Sequence, residues 1–152
     1  MSSRRLAGRL AAAAVTLVAS AALLTGCSTS SSVSVSAGPT AAAAPAAGSS
    51  LDAADFAAAA KLPGTVLLDV RTAQEFAAGH LPGAVNIDVE SADFAAGIAG
   101  LDPSKPYAVY CRSANRSKVA MTAMQSVGFN NLYDLAGGIT AWKSAGGEVA
   151  TG

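Results

Sequence analysis

The chain has 152 residues, enough for one compact domain with extensions. It is 51% hydrophobic and 13% charged, with ten basic residues against ten acidic ones. There is no basic stripe and no aromatic interleaving, which excludes a nucleic-acid-binding footprint.

The first 27 residues read as an export signal. Arg4, Arg5 and Arg9 form a basic start, and Leu10 to Thr25 is an uncharged, mostly apolar run of 16 residues. That run is shorter than the ~20 residues a spanning helix needs. Leu24-Thr25-Gly26-Cys27 follows and resembles the lipobox of bacterial lipoproteins. The resemblance implies cleavage before Cys27 and diacylglycerol on its sulfur. The mature chain is then expected on the outer face of the bacterial cytoplasmic membrane, or on its periplasmic side. Removal of three arginines leaves seven basic against ten acidic residues.

Ser28 to Ser50 contains only Ser, Thr, Val, Ala, Gly and Pro. This composition predicts a flexible tether with a mean reach of roughly 25 Å. The expected organisation is a signal over 1–26, lipidated Cys27 with its tether over 27–50, and one domain over 51–152.

Within the domain, Leu51 to Lys61 has two early aspartates and a helical spread of alanines, ended by Leu62-Pro63-Gly64. Thr65 to Val70 reads as a strand buried on both faces. Thr72 to Gly79 predicts a short helix with a Thr72/Glu75 capping box. A strand over Ala84 to Ile87 and a weak helix over Ser91 to Ile98 follow. Tyr107 to Tyr110 is the third strand, and Asn115 to Gly128 the strongest helix. Asn131 to Leu135 and Gly138 to Ser144 close the chain as strand and helix. Alternating strands and helices predict an α/β fold with a central, mostly parallel sheet and helices on both faces.

In such folds ligands bind beyond the carboxyl ends of the strands. The segment there is Cys111-Arg112-Ser113-Ala114-Asn115-Arg116-Ser117, running from the third strand into the strongest helix. Its small and polar residues let backbone N–H groups form an anion-binding nest. The helix N-terminus and the two arginines add positive charge, which favours a thiolate at Cys111. Arg71 and Glu75 are spaced for a local ion pair. Asp69 is placed either to orient the loop or to cap its neighbour. His80 lies in a loop and Trp142 is expected in the core.

Four segments together resemble the rhodanese family: Leu68-Asp69-Val70-Arg71 with Glu75-Phe76, Gly79-His80-Leu81-Pro82-Gly83-Ala84, the Cys111–Ser117 loop, and Gly137-Gly138-Ile139-Thr140-Ala141-Trp142. The resemblance implies a single rhodanese-like domain acting as a sulfurtransferase through a Cys111 persulfide. The loop residues 112–117 would bind the substrate, with Asp69 and Arg71 in support. It implies a small anionic sulfur donor, a thiol or cyanide acceptor, and no metal or organic cofactor. The compositional break at residues 50 and 51 predicts that the domain from Leu51 folds as a monomer without the tether. Ala114 departs from the pattern, because similar loops commonly carry glycine there. If that position needs positive φ, alanine costs on the order of 1 kcal/mol. Two other possibilities stand beside the sulfurtransferase. One is a non-catalytic binding or sensing module of the same fold. The other is a phosphatase, whose loop needs Cys-x5-Arg. Here the arginine comes one residue early, at Arg116, and Ser117 holds the sixth position.

Overall fold

The structure is a computed structural model that describes residues 33–152. The signal segment and Cys27 lie outside the described residues.

Among the described residues ten elements follow in chain order: β1 (Ser50–Leu51), α1 (Ala53–Ala60), β2 (Val66–Asp69), α2 (Ala73–Ala78), β3 (Val85–Asn86), α3 (Phe94–Ala99), β4 (Tyr107–Tyr110), α4 (Asn115–Ser126), β5 (Leu132–Leu135) and α5 (Gly138–Ser144). The five strands form one sheet in the order β1-β5-β4-β2-β3, and every pair is parallel. An antiparallel bridge between His80 and Ala150 lies apart from it.

Successive residues of a strand face opposite sides, and this sorts the core into two layers. Ala108, Tyr110, Tyr133 and Leu135 pack with Phe56 of α1 and with Ile139 and Trp142 of α5. Leu68, Tyr107, Val109, Cys111 and Leu132 pack on the opposite face with Phe94 and Ile98 of α3 and with Ala120, Met121 and Met124 of α4. The helices therefore cover both faces, as the alternation of elements predicts. Trp142 is fully buried and its indole N–H donates to the Glu148 carbonyl at 2.8 Å. Burial of a side chain this large contributes roughly 3 kcal/mol.

Local signals act where they were expected. The Asp52 side chain accepts from Asp55 N and starts α1. Thr72 and Glu75 form the reciprocal capping box of α2.

Two expectations need correction. Residues 33–50 do not stand free as a tether. Val33, Val35 and Ala41 pack against the α1/α5 core layer. Ala41 N donates to Ala58 O at 2.9 Å, Gly48 N to Leu132 O at 2.7 Å, and Lys61 Nζ to Ser34 O at 2.9 Å. Val and Ala are small contributors singly, but a few buried at one seam can hold a short segment. The segment also ends in β1, an edge strand that pairs Ser50 with Asp134 and Leu51 with Leu135. The second correction concerns Arg71, which pairs with Asp69 and not with Glu75.

Candidate functional site

β4 ends at Tyr110, and Cys111 is the first residue past the carboxyl edge of the sheet. The chain then turns through Arg112 and Ser113 into α4. Ala114 occupies the N-cap position with φ 72° and ψ −2°, the left-handed region. It is the one non-glycine residue with positive φ among the described residues. Unlike α1 and α2, α4 has no side-chain cap. Its first-turn N–H groups therefore stay open to a ligand, at the positive end of a 12-residue helix.

The loop is oriented from the other side by α5. Ile139 N donates to Cys111 O at 2.9 Å and Thr140 N to Arg112 O at 3.3 Å. Thr140 Oγ1 also donates to Arg112 O, at 3.0 Å. Gly137 and Gly138 both have positive φ at this helix start. A β-carbon on Gly138 would overlap the backbone of Cys111 and Arg112, so only glycine permits the approach. With these two carbonyls engaged by α5, the N–H groups of Arg112 to Arg116 donate to no other described residue.

The Cys111 residue is buried, 1% exposed. Its sulfur lies 3.9 Å from Ser117 Oγ. Ser117 is also buried, and its hydroxyl has Ala114 O at 3.0 Å and Asp134 Oδ2 at 2.9 Å as acceptors. Ser50 Oγ donates to the other oxygen of Asp134.

A depression of about 440 Å³ opens beside the loop, between α2 and the start of α4. Its wall includes Thr72, Glu75 and Glu90 on one side and Arg112, Ser113 and Asn115 on the other. Arg112 is exposed there. Arg116 is not a free cation. Its two terminal nitrogens meet the two oxygens of Glu75 at 2.8 Å each, and Nη1 also reaches Glu90 Oε2 at 2.9 Å. This bidentate pairing is the strong geometry for a guanidinium. The hydrogen bond from Arg116 is the main reason the Glu75 carboxyl titrates at about 2, well below the usual range. The same pairing raises the Arg116 guanidinium further. Among the described residues, the expected pair of loop arginines thus reduces to one unpaired cation, Arg112. The arginine nearest the phosphatase position is committed to carboxylates.

Asp69 and Arg71 support the site from behind. Arg71 Nε lies 2.9 Å from Asp69 Oδ1, and Arg71 N donates to the same oxygen at 3.0 Å. Arg71 Nη2 also donates to Gly79 O at 2.8 Å. The guanidinium carbon sits 5.7 Å from the ring centre of Tyr110, the residue before Cys111. Burial above all raises the Tyr110 phenol, so it stays neutral and accepts from Leu81 N at 3.0 Å. Asn86 Nδ2 joins the group by donating to Asp69 O and Arg71 O. His80 stacks on Phe76 at 3.8 Å, and its Nδ1 lies 3.0 Å from Phe76 O, a structural placement. Asp134, Ser50 and Asn86 carry no signal in sequence motifs. Only the strand register brings the first two to the loop.

Comparison with known proteins agrees with this geometry. The family model described as Rhodanese-like domain matches residues 52–145. The chain is 39% identical over 98 residues to thiosulfate sulfurtransferase GlpE of Pseudomonas entomophila, covering 63% of this chain and 87% of that protein. It is 39% identical over 82 residues to GlpE of Pseudomonas savastanoi pv. phaseolicola, covering 53% and 74%. Among solved structures, a rhodanese-related protein of Thermoplasma volcanium superposes with a TM-score of 0.59 at 30% identity, covering 68% of this chain and 99% of that one.

Proposed function

The chain belongs to the rhodanese-like domain family, and on that premise we propose that it is a sulfurtransferase in which Cys111 carries the transferred sulfur. The observation that carries this is the open cradle: a cysteine at the carboxyl edge of a parallel sheet, facing an uncapped helix start. The relatives named thiosulfate sulfurtransferase support thiosulfate as a donor.

In the first half-reaction the Cys111 thiolate forms a bond to the outer sulfur of thiosulfate. The donor's S–S bond breaks, and sulfite leaves with its electron pair. The outer sulfur, now the terminal atom of a Cys111 persulfide, carries the negative charge. The free N–H groups of residues 112–116 are positioned to stabilise that charge, as an oxyanion hole does. Arg112 supplies attraction for the anionic donor. In the second half-reaction a thiolate or cyanide takes the terminal sulfur, and Cys111 regains its electron pair. Intact mass of the protein after thiosulfate exposure tests this: the chain gains one sulfur atom, and Cys111→Ser does not. No gain in the unsubstituted protein would leave a binding or sensing module of the same fold.

We also propose, from the sequence of residues 1–27, that the chain is exported and anchored by lipid on Cys27. Mass measurement of the native, membrane-extracted protein tests it. The expected N-terminus is Cys27 with a lipid increment, and an unmodified Cys27 would refute the assignment.

A further inference from the structure

Sulfur transfer leaves the buried carboxyl group of Asp134 without a role. Asp134 is fully buried in β5, on the same face of the sheet as Cys111 and α4. Among the described residues its carboxyl group is met only by hydroxyls, Ser117 on one oxygen and Ser50 on the other. No described cation pairs with it. Arg71 is held by Asp69, Arg116 by Glu75 and Glu90, while Arg112 and Lys118 are exposed. The groups that face it are the Ser117 hydroxyl from α4, the Ser50 hydroxyl from β1, and, one hydroxyl further on, the Cys111 thiol from the end of β4.

A buried carboxylate without a counter-ion is costly. Two buried anions on either side of one hydroxyl cost more, because each disfavours ionisation of the other. The Cys111 ionisation that sulfur transfer needs would create that situation if the proton simply left. Ser117 offers another outcome, because a hydroxyl donates one hydrogen while accepting another. With the proton on sulfur, the S–H points to Ser117 Oγ and the Ser117 O–H points to Asp134 Oδ2. With the proton on Asp134, its O–H points to Ser117 Oγ and the Ser117 O–H points to the thiolate. Passing between these states breaks one S–H bond and one O–H bond and makes two O–H bonds. The net charge of the group does not change.

We propose that Cys111, Ser117 and Asp134 hold one exchangeable proton between them, so that the nucleophilic thiolate forms by handing its proton through Ser117 to Asp134. Asp134 touches no substrate and is a positioning residue for that proton. The proposal rests on Cys111 being the sulfur carrier. Its test uses no sulfur donor, so a failure here leaves sulfur transfer standing, and a failure of sulfur transfer leaves this measurement readable.

The test is a pH titration of thiolate ultraviolet absorbance on the full chain, read as the difference from Cys111→Ser. Groups that share a proton titrate as a pair. The thiolate signal is therefore expected to rise in two steps separated by a plateau, and Asp134→Asn is expected to collapse it to one step. A single step in the unsubstituted protein, or two steps surviving in Asp134→Asn, overturns the proposal. Should Asp134→Asn fail to fold, carbon-13 NMR of the Asp134 carboxyl in the unsubstituted protein decides. It should titrate in the same two steps as the thiolate, and to a single step once Cys111 is alkylated. A carboxyl that titrates identically before and after alkylation overturns the shared proton.

Discussion

Gly138 and Cys111 are in backbone contact: the α-carbon of Gly138 lies where any β-carbon would overlap the Cys111 carbonyl oxygen. That closeness lets Ile139 N and Thr140 N reach the loop carbonyls. Gly138→Ala must push α5 and the loop apart, and its φ of 59° adds strain. We expect a loss of about 2–4 kcal/mol in stability and a fall of at least about tenfold in kcat/KM for sulfite release from thiosulfate. Unchanged kinetics would show that α5 does not set the loop.

Ala114 carries the opposite relation between residue and backbone. Its φ of 72° is held by the loop without glycine's freedom. Relief of left-handed strain, offset by glycine's larger unfolded-state entropy, predicts that Ala114→Gly stabilises the domain by about 0.5–1 kcal/mol. Thermal unfolding should shift upward by roughly 2–4 °C.

The two loop arginines should respond differently to salt. Arg112 is exposed and has no ion-pair partner among the described residues, so Arg112→Ala should slow persulfide formation most at low salt, with the gap narrowing beyond about 0.1 M, where the Debye length is near 10 Å. Arg116 is a cross-link between α4, Glu75 and Glu90. Arg116→Ala leaves two carboxylates unpaired at the depression, and part of its defect should persist at high salt. Sulfite-release rates across an ionic-strength series separate the two.

The Glu75–Arg116 pair predicts a pH dependence of stability. Its folded-state value of about 2 lies below the ordinary glutamate value of roughly 4.3. The stabilisation is therefore fully present above about pH 4.3 and is lost as pH falls through about 2. Both side chains are partly exposed, at 31% and 22%, so solvent screening limits the contribution to on the order of 1 kcal/mol. Glu75→Gln retains capping capacity at Thr72. Its stability deficit in urea unfolding should be near 1 kcal/mol at neutral pH and should vanish towards pH 2.

Residues 33–50 should contribute to stability. A chain beginning at Val33 keeps the packing of Val33, Val35 and Ala41 and the Gly48–Leu132 hydrogen bond. A chain beginning at Leu51 loses these, together with the Ser50–Asp134 contact. We expect the shorter chain to unfold at a temperature lower by several degrees, on the order of 2 kcal/mol of lost burial and hydrogen bonding. Equal midpoints would restore the free tether.

The alternation of strands and helices, the Thr72/Glu75 capping box and the place of Cys111 between a strand and a helix were all legible in the chain. Each depends on residues within about four positions of one another, and such short-range patterns are what sequence records directly. The cost at Ala114 was also legible as a condition, because positive φ disfavours any residue with a β-carbon.

The partners of the charged groups were decided by tertiary structure. Arg116 finds Glu75 across 41 residues, although Arg71 is the closer basic neighbour of Glu75 in sequence. Arg71 turns to Asp69 because both are buried at the end of β2, where a buried ion must take a partner that supplies several hydrogen bonds at once. Ser50, Ser117 and Asp134 meet only because β1, β4 and β5 adopt one register, and a shift of one residue would turn Asp134 to the opposite face. Local sequence determined which elements form and where the thiol stands. The register of the sheet, set by burial on both its faces, determined which charges and hydroxyls surround that thiol.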